Sequence, residues 1–312
     1  MDIKISDAFR SFTREKALIS GSRTIDHYND AYNHFSKAVK CSKKISDLSV
    51  DDLVSFVTKL KNKKLLIGKP RSKKSVKPKI SNKKLSASSQ SSYSRQINTF
   101  INFCVRRKWL AENPFSKDIF PKEPDKEITV FSDSQIEEIF KVTKKNNKKL
   151  YVALNLLSMT GFRISALVSL KMTDIDFEKN VIKLYNSKTK SYNEFPLYDQ
   201  LKNFIKKNVP ADGYEGYLLP YRHRGGIHKV FYHLRHKLGM RDPNTYNLHT
   251  FRKYFITKLL EKGLPIFDVS KLAHHKNIKT TMRYYAKVET GKLCDKLNEL
   301  MPVAKKKKPK AA

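Results

Sequence analysis

Five short segments hold the residues whose chemistry stands out, and their order along the chain matters as much as their content. In TGFRISALVSLKMTDID (160–176), Arg163 follows an apolar run and a glycine turn, so its charge is held at the edge of a core. In LYNSKTKSYNEFPL (184–197), Lys188 lies at or near a polar tip between two strand-like runs, where an ammonium could serve as a proton donor; Lys190 is its rival. In LHTFRKYFITKLLEKG (248–263), His249 and Arg252 stand three apart and share one helix face. Finally, LAHHKNIKTT and MRYYAKV (272–288) bring two histidines, His274 and His275, and then two tyrosines, Tyr284 and Tyr285. Adjacent tyrosines on a helix point in different directions, so one can act as a nucleophile while the other packs.

These residues need rigid elements to hold them. Tyr151 to Thr160 (YVALNLLSMT) is an almost wholly apolar helix that belongs inside a core, and Gly161 ends it. Ser132 starts the preceding helix, with Gln135 three residues on as a capping box. Val181–Tyr185 and Glu194–Leu197 read as two strands, and from Gln200 onward the pattern is mostly helical. In His249's helix, Phe251, Phe255, Ile256 and Leu259 supply the anchoring face.

The first third of the chain reads as helices. Apolar residues recur at helical spacing in Phe9 and Phe12, in Tyr28, Tyr32 and Phe35, and in Leu53, Phe56, Val57 and Leu60. Ser49 before Asp51 and Asp52 marks a helix start. A fourth helix is expected from about Ser89 to Lys108, stopped by Asn113-Pro114. Between the third and fourth lies a stretch, 61–86, with eleven basic residues and two prolines, which reads as unable to fold alone. From Leu53 to Ala111 there is no acidic residue, which argues against a surface laced with salt bridges and for a loop that tracks phosphates. Lys73, Lys74 and Lys77 of this stretch, with Arg95, Arg106 and Arg107 of the fourth helix, are the candidate DNA-binding residues.

The whole composition agrees. The 312 residues carry 64 Lys+Arg against 29 Asp+Glu, a formal charge of +35. Such a field attracts a polyanion and points to nucleic acid. The three cysteines (Cys41, Cys104, Cys294) are scattered, which speaks against a zinc cluster or a disulfide framework. No run resembles a signal peptide or a membrane span, so a DNA-associated cytoplasmic protein is expected, without a membrane partner. The Lys305–Lys308 run reads by default as a disordered end, with a DNA-binding arm or, in a nucleated cell, an import signal as the alternatives.

Taken in order, the five segments resemble the tyrosine recombinase (phage integrase) family. Its pattern of Arg, Lys, His-x-x-Arg, His or Trp, then Tyr falls on Arg163, Lys188, His249 with Arg252, His275 and Tyr284. The family spaces its second histidine and its tyrosine nine residues apart, which selects His275 with Tyr284 and leaves His274 where a glycine is usual. Ala166 and Lys253 also depart from the pattern, standing where glutamate and histidine are common.

The resemblance implies a mainly α fold with a small antiparallel β-sheet. A helical core-binding, DNA-clamping domain (1–115, with the basic insert) would be joined by a linker (116–129) to a mixed α+β catalytic domain (130–288). A C-terminal helix (289–301) would dock on a neighbouring subunit, and a basic tail (302–312) would follow. It further implies site-specific cleavage and rejoining of double-stranded DNA by a homo-tetramer on two sites, through a 3′-phosphotyrosyl link, with no metal, ATP or other cofactor. Arg163 and Arg252 would bridge the phosphate oxygens with forked hydrogen bonds. His249 would take the proton of Tyr284, His275 would donate to a phosphate oxygen, and Lys188 would protonate the leaving 5′-oxygen. Nearby arginines would favour the phenolate. Because the chain opens directly on the core-binding helices, simple recombination sites are expected. The rival functions are DNA relaxation of the type IB topoisomerase kind and DNA binding without catalysis.

Overall fold

A computed structural model describes residues 2–67, 79–116, 118–124, 127–186 and 191–286. The chain divides into two compact units, Met1–Lys126 and Glu127–Ala312.

The first unit is built on four helices: α1 (Ile5–Ile19), α2 (Ser22–Phe35), α3 (Val50–Asn62) and α4 (Ala87–Arg106). Their apolar stripes meet in a core of aromatic rings. Phe9 stacks on Tyr32 at 3.9 Å and meets Phe100 edge-on at 5.3 Å, while Phe35 packs edge-on against Phe56 at 5.4 Å. The start of α3 is as expected: Ser49 accepts the N–H of Asp52, whose carboxylate accepts the N–H of Ser49. Such a cap stabilises a helix by about 1 kcal/mol. The fourth helix ends at Arg106, close to the expected Lys108 and well before Asn113-Pro114. The Lys108 N–H donates to Val105, the Trp109 N–H to Cys104, and Lys108 takes a left-handed φ of 56°. This Schellman turn satisfies the helix's last carbonyls without help from the proline.

The basic stretch is held at its ends by the helices that flank it. Its ends are ordered, because β1 (Lys64–Ile67) and β2 (Lys79–Lys84) pair antiparallel, with Lys64 opposite Lys84 and Ile67 opposite Lys79. Leu65, Leu66, Ile67 and Ile80 suit strands, and the Leu85 N–H bonds the Lys63 carbonyl, so α3 and α4 bring the two arms together. Two arginines in and just after α4 find acidic partners elsewhere in the unit. Arg95 pairs with Glu123 at 2.9 Å and Arg107 with Glu15, both acids coming from outside the stretch. The segment around Phe115 and Phe120, whose rings lie 5.0 Å apart, packs on this same core.

The second unit contains α5 (Asp133–Asn146), α6 (Lys148–Thr160), α7 (Ile164–Ser169), a sheet of β3 (Ile175–Asp176), β4 (Val181–Asn186) and β5 (Ser191–Pro196), then α8 (Asp199–Asn208), α9 (Arg224–Lys237), α10 (Leu248–Glu261) and α11 (Ile266–Leu272). Residues 279–286 are helical again. The sheet is antiparallel in the order β3-β4-β5, with Val181 opposite Pro196 and Asn186 opposite Ser191. As expected, α6 lies inside the core: Leu150, Val152, Ala153, Leu154, Leu156 and Leu157 are all buried, and α10, whose Phe251, Ile256 and Leu260 are buried in the same core, packs along it. The Ser132–Gln135 capping box forms at the start of α5. The observed fold is therefore mainly α with one small antiparallel sheet in each unit.

Candidate active site

The site begins where α6 stops. Gly161 takes a left-handed φ of 62°, and a Cβ there would fall 2.3 Å from the Phe255 ring, so both conformation and space demand glycine. Two residues later Arg163 caps α7 in extended conformation and stays exposed, on the wall of a cavity of about 470 Å³. Ser165, Ala166, Arg252, His274 and Lys276 share that wall.

Arg252 is the fixed point of the site. It projects from α10 and is 2% exposed. One guanidinium nitrogen donates to the Gly161 carbonyl at 2.7 Å, and another donates to the Ala273 carbonyl. Two backbone oxygens thus clamp a buried cation without a carboxylate, and its charge is left uncompensated toward the cavity. Burial, and then the neighbouring Arg163, hold its pKa down at about 10.

The histidines gather around these two cations. His249, His274 and His275 are each pushed down to about 4, first by partial burial and then by Arg252, with Arg163 acting on all three. They are neutral at physiological pH, so each can donate one ring N–H and accept at the other nitrogen. His275 has Nδ1 on the Thr281 hydroxyl at 2.8 Å, which orients its ring. His274 sits at the end of α11 with a left-handed φ of 49°, a conformation that costs a non-glycine residue about 1–2 kcal/mol.

The two tyrosines of helix 279–286 separate as their adjacency requires. Tyr284 is 8% exposed and packs in the core cluster, whereas Tyr285 is 40% exposed. Arg252 and Arg283 favour the Tyr284 phenolate, as expected of nearby cations, but burial outweighs them and the phenol's pKa is raised overall. In the protein alone the phenol therefore keeps its proton, in keeping with the expected need for a base to remove it.

Of the expected catalytic residues, Arg163, His249, Arg252, His275 and Tyr284 fall in this one electrostatically coupled cluster. Lys188 lies outside the described residues, as do Lys73, Lys74 and Lys77. Arg106 is exposed on α4; Arg95 and Arg107 are exposed but engaged by Glu123 and Glu15. Two residues not expected in the site, His274 and Lys276, line the cavity. The paired histidines were visible in the sequence, but spacing alone does not tell which ring enters a cavity. Among the described residues, no group of three or more His, Cys, Asp or Glu is arranged to hold a metal ion, and no helix is long and apolar enough to cross a membrane.

The chain belongs to the phage integrase family, whose model matches residues 129–290, more than half of its length. It is 29% identical over 182 residues to tyrosine recombinase XerA of Saccharolobus solfataricus, covering 58% of this chain and 60% of that one. It is 26% identical over 223 residues to a tyrosine recombinase of Pseudothermotoga lettingae, covering 70% and 77%. The chain thus spans about three fifths of the XerA relative's length. Among solved structures, its fold is similar to the Tn1549 transposon integrase in complex with circular intermediate DNA, with a TM-score of 0.71 and 19% identity over 93% of this chain and 99% of that one. It is also similar to a lambda integrase dimer bound to a COC' core site, with a TM-score of 0.69 and 14% identity over 91% and 95%.

Proposed function

We propose that this protein is a site-specific DNA recombinase that cuts and rejoins double-stranded DNA through Tyr284. The observation that carries the reading is the meeting of Arg163, Arg252 and His274 on one cavity wall, with His249, His275 and the buried Tyr284 near enough to feel the charge of Arg252. A phosphodiester is anionic, and its displacement spreads negative charge over the equatorial oxygens. The clamped Arg252 meets that charge without reorganising, and Arg163 adds a second guanidinium beside it; preorganised charge of this kind is usually the largest contribution to catalysis. The Tyr284 oxygen bonds to phosphorus as its proton passes to neutral His249, and the bond from phosphorus to the 5′-oxygen breaks. Lys188 protonates the departing 5′-oxygen, and His275 donates to a phosphate oxygen. The product is a 3′-phosphotyrosyl link and a free 5′-hydroxyl. Because the phosphoester bond is conserved, a 5′-hydroxyl from a second duplex can reverse the step without ATP.

In this reading residues 1–115 clamp the DNA, 116–129 link the units, 130–288 perform the chemistry, and 289–301 dock on a neighbouring subunit of a tetramer holding two sites. The lambda integrase solved as a tetramer bound to a Holliday junction, with a TM-score of 0.68, supports that assembly as a proposal for this chain.

The test uses a nicked suicide duplex whose site has been selected from a random library by binding to the full-length chain. A covalent adduct should form, and its peptide map should end on Tyr284. Tyr284→Phe should abolish the adduct with DNA binding intact, while Tyr285→Phe should retain it. The opposite result would move the nucleophile to Tyr285. Supercoil relaxation without recombinant products from two sites would replace recombination with simple relaxation.

A further inference from the structure

His274 occupies a backbone position that favours glycine. The N–H of His274 bonds Lys271 at 2.9 Å and the N–H of His275 bonds Ser270 at 3.0 Å, closing α11 with a left-handed residue between them. The helices α9 and α10 close with the same pair of bonds, and there the left-handed residues are Gly239 and Gly263. Lys108 takes this conformation at the end of α4, but its side chain is exposed. The His274 side chain instead turns inward onto the cavity wall beside Arg163 and Arg252, its ring 6.3 Å from that of Phe162. Its Nε2 is buried and has no hydrogen-bond partner. A buried polar atom normally has one, and an exception calls for a reason such as a role in catalysis. The ring's position is also tied to the site, because Arg252 donates to the carbonyl of Ala273, the residue just before it.

An unsatisfied imidazole nitrogen, on a ring that shares a cavity wall with two guanidiniums, fits an anionic oxygen bound there. Resting on the reading that the cavity receives the scissile phosphate, we propose that His274 is a further catalytic residue, whose Nε2–H donates a hydrogen bond to a non-bridging oxygen of the phosphate held by Arg163 and Arg252. This contact is separate from that of His275, whose Nδ1 is taken by Thr281. Its neutral state beside two cations agrees with the donor role. An inward histidine here recovers in the bound state what its backbone conformation costs in the free one.

The test compares the full-length protein with His274→Gly in single turnover on the selected suicide duplex. Glycine suits the turn, so Tm should stay level or rise and DNA affinity should stay within about twofold, while adduct formation slows by about tenfold or more, as loss of one hydrogen bond to a charged group predicts. The penalty should also depend on one oxygen. On duplexes carrying a single methylphosphonate diastereomer at the scissile position, it should vanish for the diastereomer lacking the contacted oxygen and persist for the other. Wild-type rates in His274→Gly would overturn the proposal, as would an equal loss on both diastereomers or a loss that tracks a fall in Tm. If the wild type forms no adduct on any selected site, the reading of the cavity fails first, which separates the two failures.

Discussion

Arg252 shows how a single residue can be made useful by denying it a counter-ion. Two carbonyl oxygens satisfy its hydrogen bonds and leave its charge directed at the cavity, and after burial that charge does most to keep three histidines neutral. The linkage has a definite sign. An unfolded chain protonates these imidazoles near 6.5, while the folded protein withholds the protons until about 4. Between those values the unfolded state binds more protons, so stability falls as pH drops through the window and is insensitive to these groups above it. Urea midpoints should therefore decline from pH 6.5 toward 4, and the decline should weaken in a variant with all three histidines replaced by asparagine. A midpoint equally steep in both proteins would show that other groups govern the acid transition. A bound phosphate opposes the same cations, so it should raise the histidine pKa values and make His249 a better base when DNA is present.

At the scale of elements, the site hangs on the ends of helices. The α6 terminus supplies Gly161 and aims Arg163, the α11 terminus supplies the Ala273 carbonyl and His274, and α10 carries Arg252 between them. Gly161 has three tasks at once: it ends α6, makes room for Phe255, and lends its carbonyl to Arg252. Gly161→Ala should thus cost about 2–4 kcal/mol, combining left-handed strain in a non-glycine residue with a clash against a packed ring. Denaturant unfolding would measure the loss. At a temperature where the variant is folded, its adduct formation should still lag, because the arginine clamp has shifted. Normal cleavage by folded Gly161→Ala would show that the Gly161 link does not position Arg252.

For the molecule as a whole, charge sets the partner and the conditions under which it is held. A formal charge of +35 implies steep salt dependence in binding DNA. Part of it is expected from the segment between β1 and β2, which holds Lys73, Lys74 and Lys77. Since β1 and β2 pair, a cut that respects the fold replaces residues 69–77 with a short Gly/Ser turn and keeps both strands. Binding should weaken, and the slope of log affinity against log salt should flatten by roughly 0.9 for each phosphate contact removed. An unchanged slope would mean that the segment never touches phosphate.

Much of this architecture is written locally. The apolar run of α6, the capping boxes at Ser49 and Ser132, the glycine stop at 161, the paired strands and the order of the five segments follow from residue types at short spacing, because helix and strand periods and caps act over a few residues. Separation of the two tyrosines was legible for the same reason, since neighbours on a helix cannot share a face. Other features depend on contacts far apart in the chain. Arg252 meets the Gly161 carbonyl 91 residues away, Arg107 finds Glu15, and β1 finds β2 because α3 and α4 hold their ends together. Tertiary packing alone turned His274 from an oddity at a glycine position into part of the cavity wall. It also decided that burial outweighs the arginines at Tyr284. Neither is encoded by spacing, because desolvation and cavity shape are properties of the atoms that surround a side chain once the core has closed.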